Sequence, residues 1–158
     1  MSIFAAVMTG QGTGAISTIQ LFGDKADTIL KKIFKPASAK PATLDLGQIL
    51  LGTICDGNRT IDQVTIGYEG ENNFTINCHG NPLIVEMIMK LLQKQNVKPI
   101  AVQQLIVKIL SSDKSLNTIA IEAALAQAEA KTLEGTKIIA NQVNAGLSKK
   151  AAQWLDNI

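Results

Sequence analysis

The only histidine of the chain, His79, directly follows one of its two cysteines, Cys78. A thiol and an imidazole can build a nucleophile–base pair, but neighbours in a β-strand point to opposite faces of the sheet. A strand at this position would therefore keep the two side chains apart. One histidine and two cysteines are also too few for a structural zinc site, and Cys55 with Cys78 is no disulfide framework. We predict no metal site and no catalytic residue.

A glycine-rich stretch at residues 10–14 is a second candidate functional segment, because glycine-rich loops bind phosphates in many nucleotide-binding proteins. A GTPase phosphate loop carries Lys followed by Ser or Thr, since the lysine reaches the terminal phosphates and the hydroxyl holds magnesium. This stretch lacks that pair and joins two strand-like segments. The sequence therefore predicts a structural turn here, and no GTP on this chain.

The elements around His79 have the pattern of a strand followed by a helix. Apolar residues at 74, 76 and 78 alternate with polar residues at 75, 77 and 79, as in a strand with one buried face. Asn81 is a favoured N-cap residue, and Pro82 suits the first helical position. Such a junction offers free backbone N–H groups and partial positive charge to an anion such as a carboxylate. The alternative is that His79 only caps or packs the junction.

Short apolar segments predict the other strands of the first half. A helix is expected from residue 25 to about residue 34, with Asp24 as its cap, and Pro36 and Pro41 mark a loop after it. The predicted strands are residues 3–8, 15–22, 48–55 and 60–68, with a hairpin turn at 56–58, a polar loop at 69–73 and a short strand at 98–102.

Residues 83–92 are apolar almost all round, which predicts a deeply buried helix. From Asn117 the pattern is helical to the end, with an interruption near Gly135. The apolar stripe of this segment ends at Trp154 and Ile158. It needs a partner surface, because helices owe most of their stability to packing.

Length and composition fit one ordinary domain with a helical extension, since the chain has 158 residues, 46% of them hydrophobic and 18% charged. We predict an α+β domain at residues 1–115 and the start of a helical domain at residues 116–158. The net charge is +2 and the lysines are scattered, so direct binding of nucleic acid is not expected. No apolar run reaches the roughly 20 residues that cross a bilayer, and the N-terminus lacks the basic region of a secretory signal. We therefore expect a cytoplasmic protein without membrane contact.

The segment 68–82 resembles the N-terminal domain of the MnmE/TrmE tRNA-modification GTPases. It reads Y-E-G-E-N-N-F-T-I-N-C-H-G-N-P, where that family has roughly Y-T-G-E-D-x-x-E-x-x-C-H-G-G-P. The turn at residues 9–14 and the segment 16–23 are similar to the opening of the family, which has a strand, a T-P-P-G-x-G-like turn and a second strand. Leu116-Asn117 before Ile121-Glu122-Ala123 resembles the L-D-L-x-x-A-E-A helix start of the family.

The resemblance implies a mixed β-sheet with packed helices, related to the folate-dependent aminomethyltransferases. It implies a homodimer that binds a tetrahydrofolate one-carbon donor, 5-formyl- or methylene-tetrahydrofolate, near the dimer interface. Complete family members add a helical domain and an inserted GTPase domain. With a flavin-dependent partner they modify the wobble uridine of certain tRNAs, so this chain is expected to meet tRNA only indirectly.

Three folate contacts of the family align with uncharged residues of this chain. Gln20 replaces an arginine on the second strand, Thr75 replaces a glutamate, and Ser115 replaces a lysine. With His79 and Glu71, these residues form the folate-like site that the resemblance implies. Each lost charge-assisted hydrogen bond costs about 1.5–3 kcal/mol, so two losses weaken binding by about two decades or more.

Three functional hypotheses follow. The first is the N-terminal dimerisation and tetrahydrofolate-binding domain of a tRNA-modification GTPase, with altered ligand contacts. The second is a free-standing one-carbon enzyme that uses His79 and Glu71 near a folate. The third is a divergent, non-catalytic interaction protein, whose contact surface is the helical stripe ending at Trp154 and Ile158.

Overall fold

Seven β-strands and six helices make up the computed structural model, which describes residues 2–10, 12–38 and 46–157. The chain divides into two units between Leu105 and Ile106. The first unit contains the β-sheet and two complete helices, and the second contains helices alone.

The sheet of the first unit is mixed. Its strands are β1 Ile3–Val7, β2 Ile16–Phe22, β3 Phe34–Pro36, β4 Ile49–Asp56, β5 Arg59–Gly70, β6 Asn73–His79 and β7 Val97–Pro99. They lie in the order β3-β4-β5-β6-β2-β1-β7. All neighbours run antiparallel except β1 and β7, which run parallel. The predicted α+β fold with a mixed sheet is confirmed.

One face of the sheet carries the hydrophobic core. Side chains alternate between the two faces along a strand, so Ile19 and Leu21 of β2 and Ile76 of β6 all lie in the core. Helices α1 (Ala26–Ile33) and α2 (Pro82–Lys94) contribute buried side chains to the same cluster. Each large apolar side chain buried there stabilises the fold by about 1.5–3 kcal/mol. The core therefore holds the strands in register, and the polar side chains of β2 and β6, except Ser17, lie on the opposite face.

Two of the predicted turns lie at connections between neighbouring strands of the sheet. The hairpin predicted at residues 56–58 is confirmed by the pairing of β4 with β5. The polar loop predicted at residues 69–73 is wrong in its length, because β5 continues to Gly70 and β6 begins at Asn73. Asn72 adopts the left-handed conformation at φ 58°, which asparagine tolerates, and the chain reverses in a tight turn.

Helix α1 begins differently from the prediction. The N–H of Ala26 donates to the carbonyl oxygen of Gly23 at 3.0 Å and closes a turn that contains Asp24. The N-cap position consequently falls on Lys25, which has φ 69° and makes no side-chain capping bond. The predicted Asp24 cap is therefore wrong, because the turn places the residue before the cap position.

The chain after α1 forms a short edge strand where a helix end and a loop were predicted. Phe34, Lys35 and Pro36 pair with β4 as strand β3. Proline is tolerated there because one side of an edge strand needs no ladder hydrogen bonds. Pro41, the second residue predicted to mark this loop, lies outside the described residues.

Helix α2 is less buried than the sequence predicted. Its buried residues are Ile88, Leu91 and Leu92, whereas Leu83 is 68% exposed. The helix packs on one face of the sheet, so only the stripe that faces the sheet is covered. The prediction failed because an apolar composition all round the helix does not show how many surfaces are available to cover it.

Four helices follow β7, namely α3 Val102–Ser112, α4 Thr118–Glu129, α5 Leu133–Asn144 and α6 Leu147–Leu155. The strand predicted at 98–102 ends at Pro99 instead, and α3 begins at Val102. The interruption predicted near Gly135 lies at residues 130–132. Thr132 caps α5 by accepting a hydrogen bond from the Gly135 N–H at 3.0 Å, so this glycine belongs to the first turn of the helix.

The apolar stripe predicted for the C-terminal helices is divided between α5 and α6. Ile138 of α5 and Trp154 of α6 are 62% and 64% exposed, and Ile158 lies outside the described residues. Within the described ranges, the structure contains no helix that is both long enough and apolar enough to cross a bilayer.

Candidate ligand-binding site

Gln20 and Thr75 lie directly opposite each other on the sheet face away from the core, as register partners of β2 and β6. Gln20 is 9% exposed, and its Nε2 donates to Oδ1 of Asn73. Thr75 is half-buried, and its hydroxyl donates to Oε1 of Glu69 at 3.4 Å. The structure thus brings together two of the three residues that align with folate contacts.

The next pair along the same face is also polar. The Thr18 hydroxyl donates to Oδ1 of Asn77 at 2.8 Å, and Nδ2 of Asn77 donates to the Thr65 hydroxyl at 3.3 Å. Together these side chains form a polar row across β2, β6 and β5, comprising Thr18, Gln20, Thr65, Asn73, Thr75 and Asn77. The row offers hydroxyl and amide donors and acceptors and carries no formal charge.

Exposed apolar side chains border the polar row on β4. Leu51 pairs in register with Thr65 and Ile49 pairs with Gly67, so both β4 residues face the same side as the row. Ile49 is 69% exposed and Leu51 is 51% exposed. An apolar border beside convergent polar groups is typical of surfaces that bind a ring-bearing ligand or a partner protein.

Glu71 and His79 do not meet within the chain. Glu71 lies in the turn before β6, and His79 is the last residue of that strand. A strand rises about 3.3 Å per residue, which separates the two positions by at least about 20 Å. In a single chain, the two residues on which the one-carbon enzyme hypothesis relied are therefore too far apart to contact the same atom of a ligand.

Ser115 belongs to the second unit, where its partners are local. Its backbone N–H and its hydroxyl both donate to Oδ1 of Asp113, at 2.9 Å and 2.7 Å. Both hydrogen bonds hold the pKa of the Asp113 carboxyl below its usual value, and the bond from the hydroxyl has the larger effect. Ser115 is thus part of the turn between α3 and α4.

His79 is held by a buried carboxylate, Asp62. Asp62 is 8% exposed, and its Oδ2 accepts a hydrogen bond from the backbone N–H of His79 at 2.8 Å. The other oxygen, Oδ1, lies 2.7 Å from Nδ1 of the imidazole, and the His79 side chain is 66% exposed. Because one carboxylate contacts both backbone and ring, it fixes the orientation of His79 at the end of β6.

Asp62 is a residue that the sequence analysis missed, although a signal for it was present. It alternates in step with Val64, Ile66 and Tyr68, which mark the core-facing side of β5. A carboxylate at a core position needs hydrogen-bond donors, because burying an unpaired charge is costly. That periodicity would have identified Asp62 as a buried carboxylate that needs a hydrogen-bond donor.

The neighbouring thiol has a structural role. Cys78 is 3% exposed, and its Sγ donates to the carbonyl oxygen of Ser17 at 3.5 Å. Burial, and secondarily the nearby Asp62 charge, raises the pKa of the Cys78 thiol to about 11. Among the described residues, no three His, Cys, Asp or Glu side chains come together to hold a metal ion. The exposed reactive group at this junction is therefore the imidazole.

The junction between β6 and α2 is closed by a close backbone approach. The N–H of Gly14 donates to the carbonyl oxygen of Gly80 at 2.8 Å. The N–H of Gly80 donates to the carbonyl oxygen of Ala15 at 3.1 Å. A Cβ at Gly80 would lie 2.5 Å from the carbonyl carbon of Gly14, so glycine is required. Asn81 then caps α2 by accepting from the Leu83 N–H at 2.9 Å, as predicted.

A protein-family model described as GTP-binding protein TrmE N-terminus matches residues 3–103. The tRNA modification GTPase MnmE of Flavobacterium psychrophilum is 37% identical over 101 residues, which cover 59% of this chain and 22% of that protein. Proteins of the same name resemble nearly the whole chain in two other organisms. The Clostridioides difficile protein is 28% identical and the Endomicrobium trichonymphae protein 33% identical, each over 98% of this chain.

The chain spans only 35% and 34% of the length of those last two relatives. The family model, in contrast, covers more than half of the chain and includes every strand of the sheet and the His79 junction. The chain therefore belongs to the family of the GTP-binding protein TrmE N-terminus.

Proposed function

We propose that this chain is the N-terminal dimerisation domain of a tRNA-modification GTPase and carries a tetrahydrofolate-type site with altered contacts. The observation that carries the proposal is the direct pairing of Gln20 with Thr75 on one face of the sheet. Residues 116–158 would begin the helical domain. The GTPase activity, the flavin-dependent partner and the modification of tRNA in the cytoplasm would belong to the complete protein.

The donor set of the polar row fits the polar edge of a reduced folate, 5-formyl- or methylene-tetrahydrofolate. Gln20 and Thr75 would hold that edge, since an amide and a hydroxyl each donate and accept hydrogen bonds. The exposed Ile49 and Leu51 offer apolar surface beside them. A bound reduced folate would supply a one-carbon unit, and the residues of this chain would orient it.

Affinity for such a ligand should be low, because Gln20 and Thr75 stand where the family has an arginine and a glutamate. Hydrogen bonds to charged groups contribute about 1.5–3 kcal/mol each. The loss of two such bonds raises the dissociation constant about 100-fold or more. The proposal thus predicts weak binding of 5-formyltetrahydrofolate. Reintroducing the two charged residues should strengthen this binding.

Isothermal titration calorimetry with 5-formyltetrahydrofolate tests this point. The double variant Gln20→Arg/Thr75→Glu should bind about two decades more tightly than the unmodified chain. The two new charges are opposite in sign and directly opposed across the strands, which counters the repulsion between the new carboxylate at residue 75 and the neighbouring Glu69. The matched control is Thr18→Arg/Asn77→Glu, which places the same charges on the adjacent register pair. A folded double variant that releases no more heat than this control at millimolar ligand would contradict the folate-type site.

Dimerisation is supported by the exposed apolar border on β4. A second copy that covered Ile49 and Leu51 would remove their apolar surface from water, as the core of a homodimer interface does. Size-exclusion chromatography with light scattering should show a dimer that Leu51→Glu weakens. Leu83→Glu is the matched control, since Leu83 is 68% exposed on helix α2, which packs on the other face of the sheet. A strict monomer at tens of micromolar protein would contradict dimerisation.

A further inference from the structure

We propose that Asp62 is a positioning residue for His79, and that Nε2 of His79 accepts a hydrogen bond from an N–H or O–H group of a ligand. The site lies at the junction of β6 and α2. His79 pairs in register with Ile16, about 13 Å along the strand from Thr75. The proposal therefore does not depend on whether the polar row binds a folate.

The carboxylate determines which imidazole nitrogen carries the proton. An ionised carboxylate is only an acceptor, so the contact of 2.7 Å between Oδ1 of Asp62 and Nδ1 of His79 requires a proton on Nδ1. The neutral ring then has its lone pair on Nε2. A carboxylate or carbonyl group that orients a histidine in this way is the usual device for presenting the second ring nitrogen to a substrate or a metal.

His79 is held at three points. Its backbone N–H donates to Oδ2 of Asp62 at 2.8 Å, its carbonyl oxygen accepts from the Asn81 N–H at 2.8 Å, and its ring binds Oδ1 of Asp62. No hydrogen bond to Nε2 is present among the described residues, and the side chain is 66% exposed. The outward nitrogen is therefore both fixed and accessible, so a ligand would not have to order it on binding.

A purely structural role does not account for the ring contact. The backbone N–H of His79 would be satisfied by a neutral asparagine at residue 62, without the cost of burying a carboxylate. Asp62 is 8% exposed, whereas the ring that it contacts is mostly in solvent and gains little from burial. What the carboxylate adds over an amide that donates to Nδ1 is a proton on Nδ1, which leaves Nε2 as the acceptor.

The single histidine makes this control directly measurable, because only one imidazole contributes to a long-range ¹H–¹⁵N correlation spectrum of the full chain. In the spectrum of the neutral ring, we expect a protonated Nδ1 and an unprotonated Nε2. Unconstrained neutral histidine favours the opposite tautomer. A wild-type spectrum with the proton on Nε2 would overturn the proposal, and this measurement needs no variant.

Asp62→Asn should invert the tautomer. Its amide oxygen can still accept from the His79 backbone N–H, while its NH₂ group donates to Nδ1 and transfers the ring proton to Nε2. The matched control is Asp27→Asn, which removes a carboxylate that pairs with Lys31 at 3.0 Å on α1. Inversion in both variants, or in neither when both are folded, would contradict the role of Asp62.

Diethyl pyrocarbonate, which acylates unprotonated imidazole nitrogens, tests whether Nε2 is available. Peptide mapping of the native protein should find His79 acylated, with a rate several-fold lower in Asp62→Asn and unchanged in Asp27→Asn. Native protein that is not acylated at His79 would show that Nε2 cannot reach a ligand. The calorimetric test with 5-formyltetrahydrofolate is separate, so the failure of one proposal leaves the other standing.

Discussion

Replacing Gly80 with alanine would place a methyl group against the backbone of Gly14. The new Cβ would overlap the Gly14 carbonyl oxygen and lie 2.5 Å from its carbon and 2.9 Å from its Cα. Non-bonded carbon atoms pack at about 3.5–4.0 Å, so one backbone segment must move by about 1 Å. No side-chain rotation can relieve the overlap, because all three atoms belong to the main chain.

That movement has two costs. Inserting a methyl group into a close-packed site typically destabilises a protein by about 1–3 kcal/mol. The same shift stretches the two hydrogen bonds that join the Gly80 backbone to Gly14 and Ala15, each of which contributes about 0.5–1.5 kcal/mol. Together these effects predict that Gly80→Ala lowers the free energy of unfolding by about 2–6 kcal/mol.

Urea unfolding followed by the emission of Tyr68, the only tyrosine, measures this loss. Tyr68 lies on β5 of the first unit, whereas the only tryptophan, Trp154, belongs to the second unit. Gly10→Ala is the matched control from the same β1–β2 connection, because a Cβ there meets no atom within 4 Å. Its free energy of unfolding should stay within about 0.5 kcal/mol of the unmodified chain. If Gly80→Ala were as stable as Gly10→Ala, the close backbone approach at the junction would be refuted.

Three further predictions concern single side chains of the first unit. Asn81→Ala removes the cap of α2 and should lower the free energy of unfolding by about 1 kcal/mol, measured by urea titration; an unchanged midpoint would contradict the cap. Burial raises the pKa of the Cys78 thiol from 9.0 to about 11, so the unfolded thiol ionises first as the pH rises. The free energy of unfolding should then fall by about 2 kcal/mol between pH 9 and pH 11, and Cys78→Ala should lack this fall. Lys94→Ala breaks the exposed ion pair with Asp56, which joins atoms 2.7 Å apart, and should change stability by less than about 0.5 kcal/mol; a larger loss would show a stronger contact.

Elements that depend on neighbouring residues were predictable from the sequence. The alternation at residues 74–79 and the Asn81-Pro82 start of α2 are local signals, since strand period and capping are set within a few residues. The hairpin at residues 56–58 belongs to the same class. Residue similarity in the segment 68–82 also identified the family before any contact was known.

Burial and boundaries were less predictable, because they depend on surfaces supplied by distant parts of the chain. Leu83 has the same apolar character as Leu91, yet only Leu91 faces the sheet. Phe34 continues the helical pattern of α1, but pairing with β4 converts it into an edge strand. The interruption near Gly135 was misplaced because Thr132 captures the Gly135 N–H as a cap.

The amino-acid sequence determined which groups are available at the candidate site, namely one imidazole, a set of neutral polar side chains and no phosphate loop. Only the tertiary structure decided which of them meet. Gln20 lies opposite Thr75 through the register of β2 and β6, and Asp62 reaches His79 from β5. Register is a property of paired strands, set by the packing of their apolar faces in a shared core, so no single segment of the chain contains it.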